Sequence, residues 1–123
     1  MKNHFVFLIP FLIFFQTQAQ TIKQDTLRAR NYINKAISFK ENSKFDSAFK
    51  YYDKAKTVYE LHKLNENSLR CELEKGGLLI NKQDLNKAGQ ILFTASKEAL
   101  GLFSENSAIY ADFCNKIGLL YMY

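Results

Sequence analysis

Proline is almost missing from this chain: there is one, Pro10, in 123 residues. Proline stops or kinks helices by removing an N–H donor and clashing with the preceding turn. Beyond residue 10 nothing of that kind interrupts a helix, and abundant Lys, Ala, Leu and Glu favour one. The β-branched residues are too dispersed to form alternating runs, so no strand is expected. Histidine is equally scarce. His62 is the only one after His4, and with two cysteines, Cys71 and Cys114, it forms no cluster of zinc-ligand spacing. A Cys–His nucleophile would require His62 to reach Cys71 across a helix reversal, which the layout does not favour. The five glycines supply no phosphate loop, because Gly76-Gly77 falls within a helical frame and lacks the GxxxxGK arrangement. No catalytic set, cofactor or metal is expected. The net charge is +5, but the lysines are interleaved with acids and amides. They form no basic stripe, which argues against a nucleic-acid partner.

What is present begins with a leader. Met1-Lys2-Asn3-His4 is short and basic, Phe5 to Phe15 is almost wholly apolar, and Gln16 to Gln20 is polar. That is the layout of a secretory signal peptide over residues 1–19, with Thr17 and Ala19 at the small positions before cleavage. A membrane anchor is the alternative reading, but a helix of eleven residues spans only about 16 Å, short of the ~20 residues a bilayer needs. No cysteine stands at the cleavage point to carry a lipid. The expected product is exported, periplasmic or secreted, with no stable membrane span in the mature chain.

After a polar lead-in over residues 20–26, the chain repeats itself. Phe45, Ala48, Tyr52, Ala55 and Tyr59 recur forty residues later as Leu85, Ala88, Leu92, Ala95 and Ala99. Spacings of 3, 4, 3 and 4 place each set on one helix face. A second frame runs Leu69, Leu73, Gly76, Gly77, Ile80, and again Tyr110, Cys114, Ile117, Gly118, Tyr121, offset by 41. Ala29, Ile33, Ala36 and Ile37 match its first four positions, with Lys40 at the fifth. Small residues at the frame centres let helix backbones approach closely. Gly76-Gly77 is read as a packing device, with a helix break as the alternative.

These frames predict helices over about 27–41, 45–63, 69–80, 85–103 and from 108 onward. Ser43 or Asp46 is expected to cap the second helix, and Leu64 to Ser68 to form a polar linker ending in an N-cap. The units are 27–63, 69–103 and a truncated 108–123. Together they make an all-α, right-handed helical-hairpin solenoid of two full hairpins plus one unpaired helix. The fifth helix ends in Leu119, Leu120, Tyr121, Met122 and Tyr123, an apolar edge. Further repeats beyond it are expected, as in the N-terminal part of a longer protein; the alternative is self-association through that edge.

The spacing resembles that of tetratricopeptide repeats. In that family a small residue in the first helix is followed twelve positions later by alanine, then a large residue four on and alanine three further. Ala36, Ala48, Tyr52 and Ala55 fit, as do Gly76, Ala88, Leu92 and Ala95, and Gly118 opens a third unit. The 40–41 residue period and the stretch from Leu102 to Tyr121 are similar to the kinesin-light-chain-like, long-period subclass. The departures are the missing early tryptophan, the missing proline after the second helix, and Asn106-Ser107 where that subclass has His-Pro. The resemblance implies a non-catalytic protein-interaction scaffold, of the kind found in exported Bacteroidetes multidomain proteins. The alternative is the sensing or recruiting segment of a caspase-like peptidase or sensor-kinase protein.

The side chains left over are few. Tyr52 and Tyr59 belong to the core frame. Tyr51 and Tyr32 lie off it and are read as candidate anchors for a protein or peptide in the concave groove, with core packing as the alternative. Asp46, Asp53 and Glu60, seven residues apart, are read as surface ion-pair partners such as Asp46–Lys50. Cys71 and Cys114 are expected to be buried free thiols, with a disulfide or a reactive thiol as alternatives.

Overall fold

The computed structural model describes residues 5–123, with side chains from residue 10. Met1–His4, the basic start of the expected signal peptide, lies outside the described residues. Five helices follow in order: α1 (Phe5–Glu41), α2 (Phe45–Leu61), α3 (Asn65–Asn81), α4 (Leu85–Leu102) and α5 (Ala108–Leu120). No strand occurs among the described residues. Each helix packs on the next, and α3 also touches α5. This is the helical-hairpin solenoid expected from the repeats, with two hairpins and a fifth, unpaired helix.

Helix α1 is longer than the spacing predicts. Residues 20–26 are continuous with it instead of leading into it, as are residues 5–19. Past Pro10 nothing interrupts the backbone, and the hydroxyls of Thr17, Thr21 and Thr26 each donate to the carbonyl four residues back. The side chains of Phe11 to Phe15 stay largely exposed. The buried core begins only at Ala29.

Three turns of three residues, 42–44, 62–64 and 82–84, are built alike. The central residue of each has a left-handed φ: Ser43 at 58°, Lys63 at 54° and Gln83 at 63°. The residue after it donates its N–H to a carbonyl five positions back, Lys44 to Phe39, Leu64 to Tyr59 and Asp84 to Leu79. The central residue donates three back, as Ser43 does to Lys40. This pairing satisfies carbonyls that a helix end leaves open. Because that turn needs only three residues, Asn65 to Ser68 is not linker but the first turn of α3, and Leu64 holds the N-cap position without a side-chain bond. Lys44 likewise stands at the start of α2, where neither Ser43 nor Asp46 caps. Side-chain caps occur later: Asp84 accepts from the Lys87 N–H and Ser107 from the Tyr110 N–H.

The even helices bury the frame read from the spacing. Ala48, Ala55, Ala88, Leu92 and Ala99 are wholly buried, with Tyr52, Tyr59 and Ala95 nearly so. Helix α3 runs unbroken through both glycines, which excludes a break there. A Cβ on Gly76 would stand 2.3 Å from Leu92 Cδ2, so the absent side chain is what seats Leu92. Ala36 clusters with Ala48 and Tyr52 in the first hairpin, forty residues earlier.

The frame of α5 differs from the expected one. Its buried residues are Ile109 and Phe113, while Cys114 and Tyr121 are exposed. Phe113 shares a cluster with Ala95 and Ala99 of α4, as Cys71 does with Ala55 and Tyr59 of α2. Leu120 lies 3.8 Å from where a Cβ on Gly89 would stand, and Leu78 clusters with Phe49 forty residues before Gly89. Both comparisons set α5 forty-two residues from α3. The turn over 103–107, two residues longer than 62–64, supplies the difference. At that offset Gly118 occupies the place of Gly76.

Candidate interaction groove

The odd helices α1, α3 and α5 share one face of the array. Lys40 Nζ of α1 reaches Glu74 Oε2 of α3 at 3.3 Å, and Arg70 Nη1 of α3 reaches Asp112 Oδ2 of α5 at 3.3 Å. Arg70 is also held by Glu66 one turn away, at 2.9 Å. Between these bridges lies a shallow hollow of about 100 Å³ lined by Lys40, Glu74, Gly77, Asn81, Lys116 and Leu119, among others. Its floor is low because Gly77 has no side chain. The Lys116 ammonium hangs over it, 3.4 Å from where a Cβ on Gly77 would be. A wider, more open depression between α3 and α5 continues it past Leu73, Asp112 and Asn115.

The groove therefore offers both charges, an amide and short apolar steps. Its ion pairs are largely exposed, and such pairs add about 0–1 kcal/mol each to stability. They are available to be exchanged for a ligand's charges. Lys116 has no ion-pair partner among the described residues.

Tyr32 and Tyr51 are brought together, but elsewhere. Their rings lie 6.0 Å apart in the seam between α1 and α2, with Phe39 stacked on Tyr51 at 5.5 Å. The Lys54 ammonium sits 4.8 Å from the Tyr51 ring centre and 5.7 Å from that of Tyr32, and Lys35 is 5.4 Å from Tyr51. Both tyrosines are half-buried, and neither lines the hollow between the odd helices. Which side of α1 turns toward α3 and α5 is set by packing against α2. The rotation of Tyr51 away from Tyr52 on a single helix carries no information about that.

The other singled-out groups are structural. Asp46, Asp53 and Glu60 serve as ion-pair partners, the first two reaching across to α3 and the turn that follows it instead of along their own helix. Asp46 meets Lys82, Asp53 meets Lys75 and Glu60 meets Lys56. Lys75 is nearly buried, gripped by Asp53 at 2.6 Å and Glu72 at 2.7 Å, with its ammonium 4.8 Å from the Phe49 ring centre. Lys56 joins this network by reaching Glu72 at 3.0 Å. Sequence reading missed Lys75, since a lysine in a helix gives no sign that neighbouring carboxylates will enclose it. His62 Nε2 lies 2.7 Å from Asp25 Oδ2, tying the end of α2 to α1.

Both cysteines are free, but only Cys71 is buried; Cys114 is exposed on α5. Burial pushes the Cys71 thiol up to about 12, with the Glu72 charge adding to the shift. Tyr52 is likewise pushed up by burial, then by Glu74 and Cys71. Both shifts keep the groups neutral and unreactive near pH 7. No group of His, Cys, Asp or Glu side chains among the described residues is arranged to hold a metal. No described helix is long and apolar enough to cross a membrane. No protein family matches the chain, and no curated protein or solved structure matches it either.

Proposed function

We propose that this chain is a non-catalytic protein-binding scaffold whose groove between α1, α3 and α5 takes an extended peptide. The observation that carries this reading is the hollow over Gly77, flanked by exchangeable ion pairs and overhung by Lys116. A ligand acidic side chain opposite Lys116 would gain a charge-assisted bond there. Peptides selected from a displayed random library against the full chain should lose binding to Lys116→Glu and to Gly77→Leu, and keep binding to Lys50→Glu. Selected peptides indifferent to both groove changes would defeat the reading.

The repeat spacing also supports placement beside the long-period, kinesin-light-chain-like repeats of exported Bacteroidetes proteins, as the N-terminal part of a longer chain. Export is supported by the leader layout and by the exposure of Phe11 to Phe15 outside the packed core. Mass spectrometry of the protein from its own cells should find Gln20 at the N-terminus. An intact Met1 form confined to the cytoplasm would contradict export.

A further inference from the structure

We propose that the α1–α2 seam, on its side away from α3, is a second binding surface, which takes an acidic segment of a partner protein carrying aromatic side chains. Lys35 and Lys54 receive its carboxylates, and the rings of Tyr51 and Tyr32 receive an aromatic or apolar side chain between them. This goes beyond the groove, with which it shares no residue.

Tyr32, Lys35 and Phe39 follow at spacings of 3 and 4 and form one stripe of α1. Lys40, which bridges to Glu74 of α3, is about 100° round the helix from Phe39. Tyr51 and Lys54 form the matching stripe of α2, and Asp53, which bridges to Lys75 of α3, is about 100° from Lys54. The described residues before these stripes run straight back along α1 to Phe5 and do not fold over them. A continuation of the chain would leave from α5, which packs on α3 and α4 at the other end of the array.

The charges of the first hairpin are sorted across it. Its acids are spent elsewhere: Asp46 on Lys82, Asp53 on Lys75, Glu60 on Lys56, and Asp25 on His62 and Arg28. Glu41, the last residue of α1, is about 120° round the helix from Lys35. Lys35 and Lys54 are exposed, and neither has an ion-pair partner among the described residues. What holds them is a ring: both ammoniums lie within 5.4 Å of the Tyr51 centre, and that of Lys54 is also 5.7 Å from the Tyr32 centre. Two like charges gathered on one ring repel, and a carboxylate between them relieves this. A carboxylate also holds an exposed ammonium more firmly than a ring face does. Alternate residues of an extended strand, about 7 Å apart, are spaced to meet both ammoniums. Drawn off the ring, the ammoniums leave open a phenol face that Phe39, stacked at 5.5 Å, keeps in place. Such a face packs well against another aromatic side chain.

The probe is a fluorescein-labelled synthetic peptide of alternating Glu and Tyr, titrated with the full chain and followed by anisotropy. Saturable binding is expected. Lys35→Gln combined with Lys54→Gln should weaken it about tenfold or more, because two charge-assisted bonds are lost. Lys63→Gln combined with Lys97→Gln makes the same charge change on other exposed lysines and should leave binding nearly unchanged. All four side chains are exposed, so helix content and melting temperature should hold in both variants. A peptide of alternating Glu and Gly should bind the chain more weakly than the Glu-Tyr peptide. Failure to bind, equal loss in the two double variants, or indifference to removal of the tyrosines overturns the proposal. Heparin that binds more tightly than the peptide, with the same dependence on Lys35 and Lys54, would make an anionic polysaccharide the occupant and likewise overturn it. The titration is repeated with Lys116→Glu, which closes the groove to acids. Binding that vanishes there belongs to the groove and overturns the proposal, whereas binding that persists supports it whatever the outcome for the groove.

Discussion

At the scale of single residues, two glycines on successive helices should respond to the same change with opposite sign. Replacing a helical glycine by alanine gains about 1 kcal/mol from the backbone. At Gly76 the new methyl would overlap Leu92, which is wholly buried and has nowhere to withdraw. Overpacking of that kind costs about 1–3 kcal/mol, so Gly76→Ala should lose up to about 2 kcal/mol in urea unfolding. At Gly89 the nearest atoms, on Leu120 and Phe93, are at 3.8–3.9 Å, an ordinary contact. Gly89→Ala should therefore gain up to about 1 kcal/mol. The two thiols divide as sharply. Iodoacetamide at pH 8 should modify Cys114 in the native protein, while Cys71 reacts only in denaturant; mass mapping of the labelled peptides checks this. The sign follows from the raised Cys71 pKa: thiolate is scarce at pH 8 in the fold and becomes accessible on unfolding.

At the scale of the element, the turns are the least optimised parts. Ser43, Lys63 and Gln83 hold left-handed φ values that cost an L-residue about 1 kcal/mol or more and cost glycine little. All five glycines of the chain lie within helices. Gln83→Gly should raise stability by about 0.5–1 kcal/mol, read as a higher urea midpoint with unchanged slope. These turns were also where the sequence was hardest to read. With no glycine to mark them, Asn65 to Ser68 looked like linker by composition, although a left-handed turn of three residues already reverses the chain. The frames of α2 and α4 were legible because both are amphipathic over several turns, with alanines wherever backbones meet. That of α5 was not, since two extra residues in the turn over 103–107 shift its register without altering its apolar content. The groove was legible only as a class of surface. Its residues, Lys40, Glu74, Gly77 and Lys116, come from three helices, and no single periodicity connects them.

At the scale of the whole molecule, the array is held chiefly by contacts between successive helices, with the α3–α5 contact, the Lys40–Glu74 bridge and Lys87 over the Phe49 ring reaching one helix further. Stability in such a structure is a sum over units and their interfaces. The turns at Ser43 and Gln83 share one geometry and stand forty residues apart, as do Ala36 and Gly76. Consider the chain as tape that could be cut and spliced. Excising Phe45 to Asp84 would join Lys44 directly to Leu85, leaving one helix-ending turn intact and offering Ala36 to Leu92 in place of Tyr52. The spliced protein should stay helical and unfold cooperatively by circular dichroism, at a lower midpoint because an interface is gone. Stopping the cut one residue short, at Gln83, should abolish that cooperativity, since a single residue turns every later side chain by about 100° around its helix axis. The molecule's unit of inheritance would then be the forty-residue step from turn to turn, and new lengths of scaffold could arise by unequal exchange without designing a single new contact.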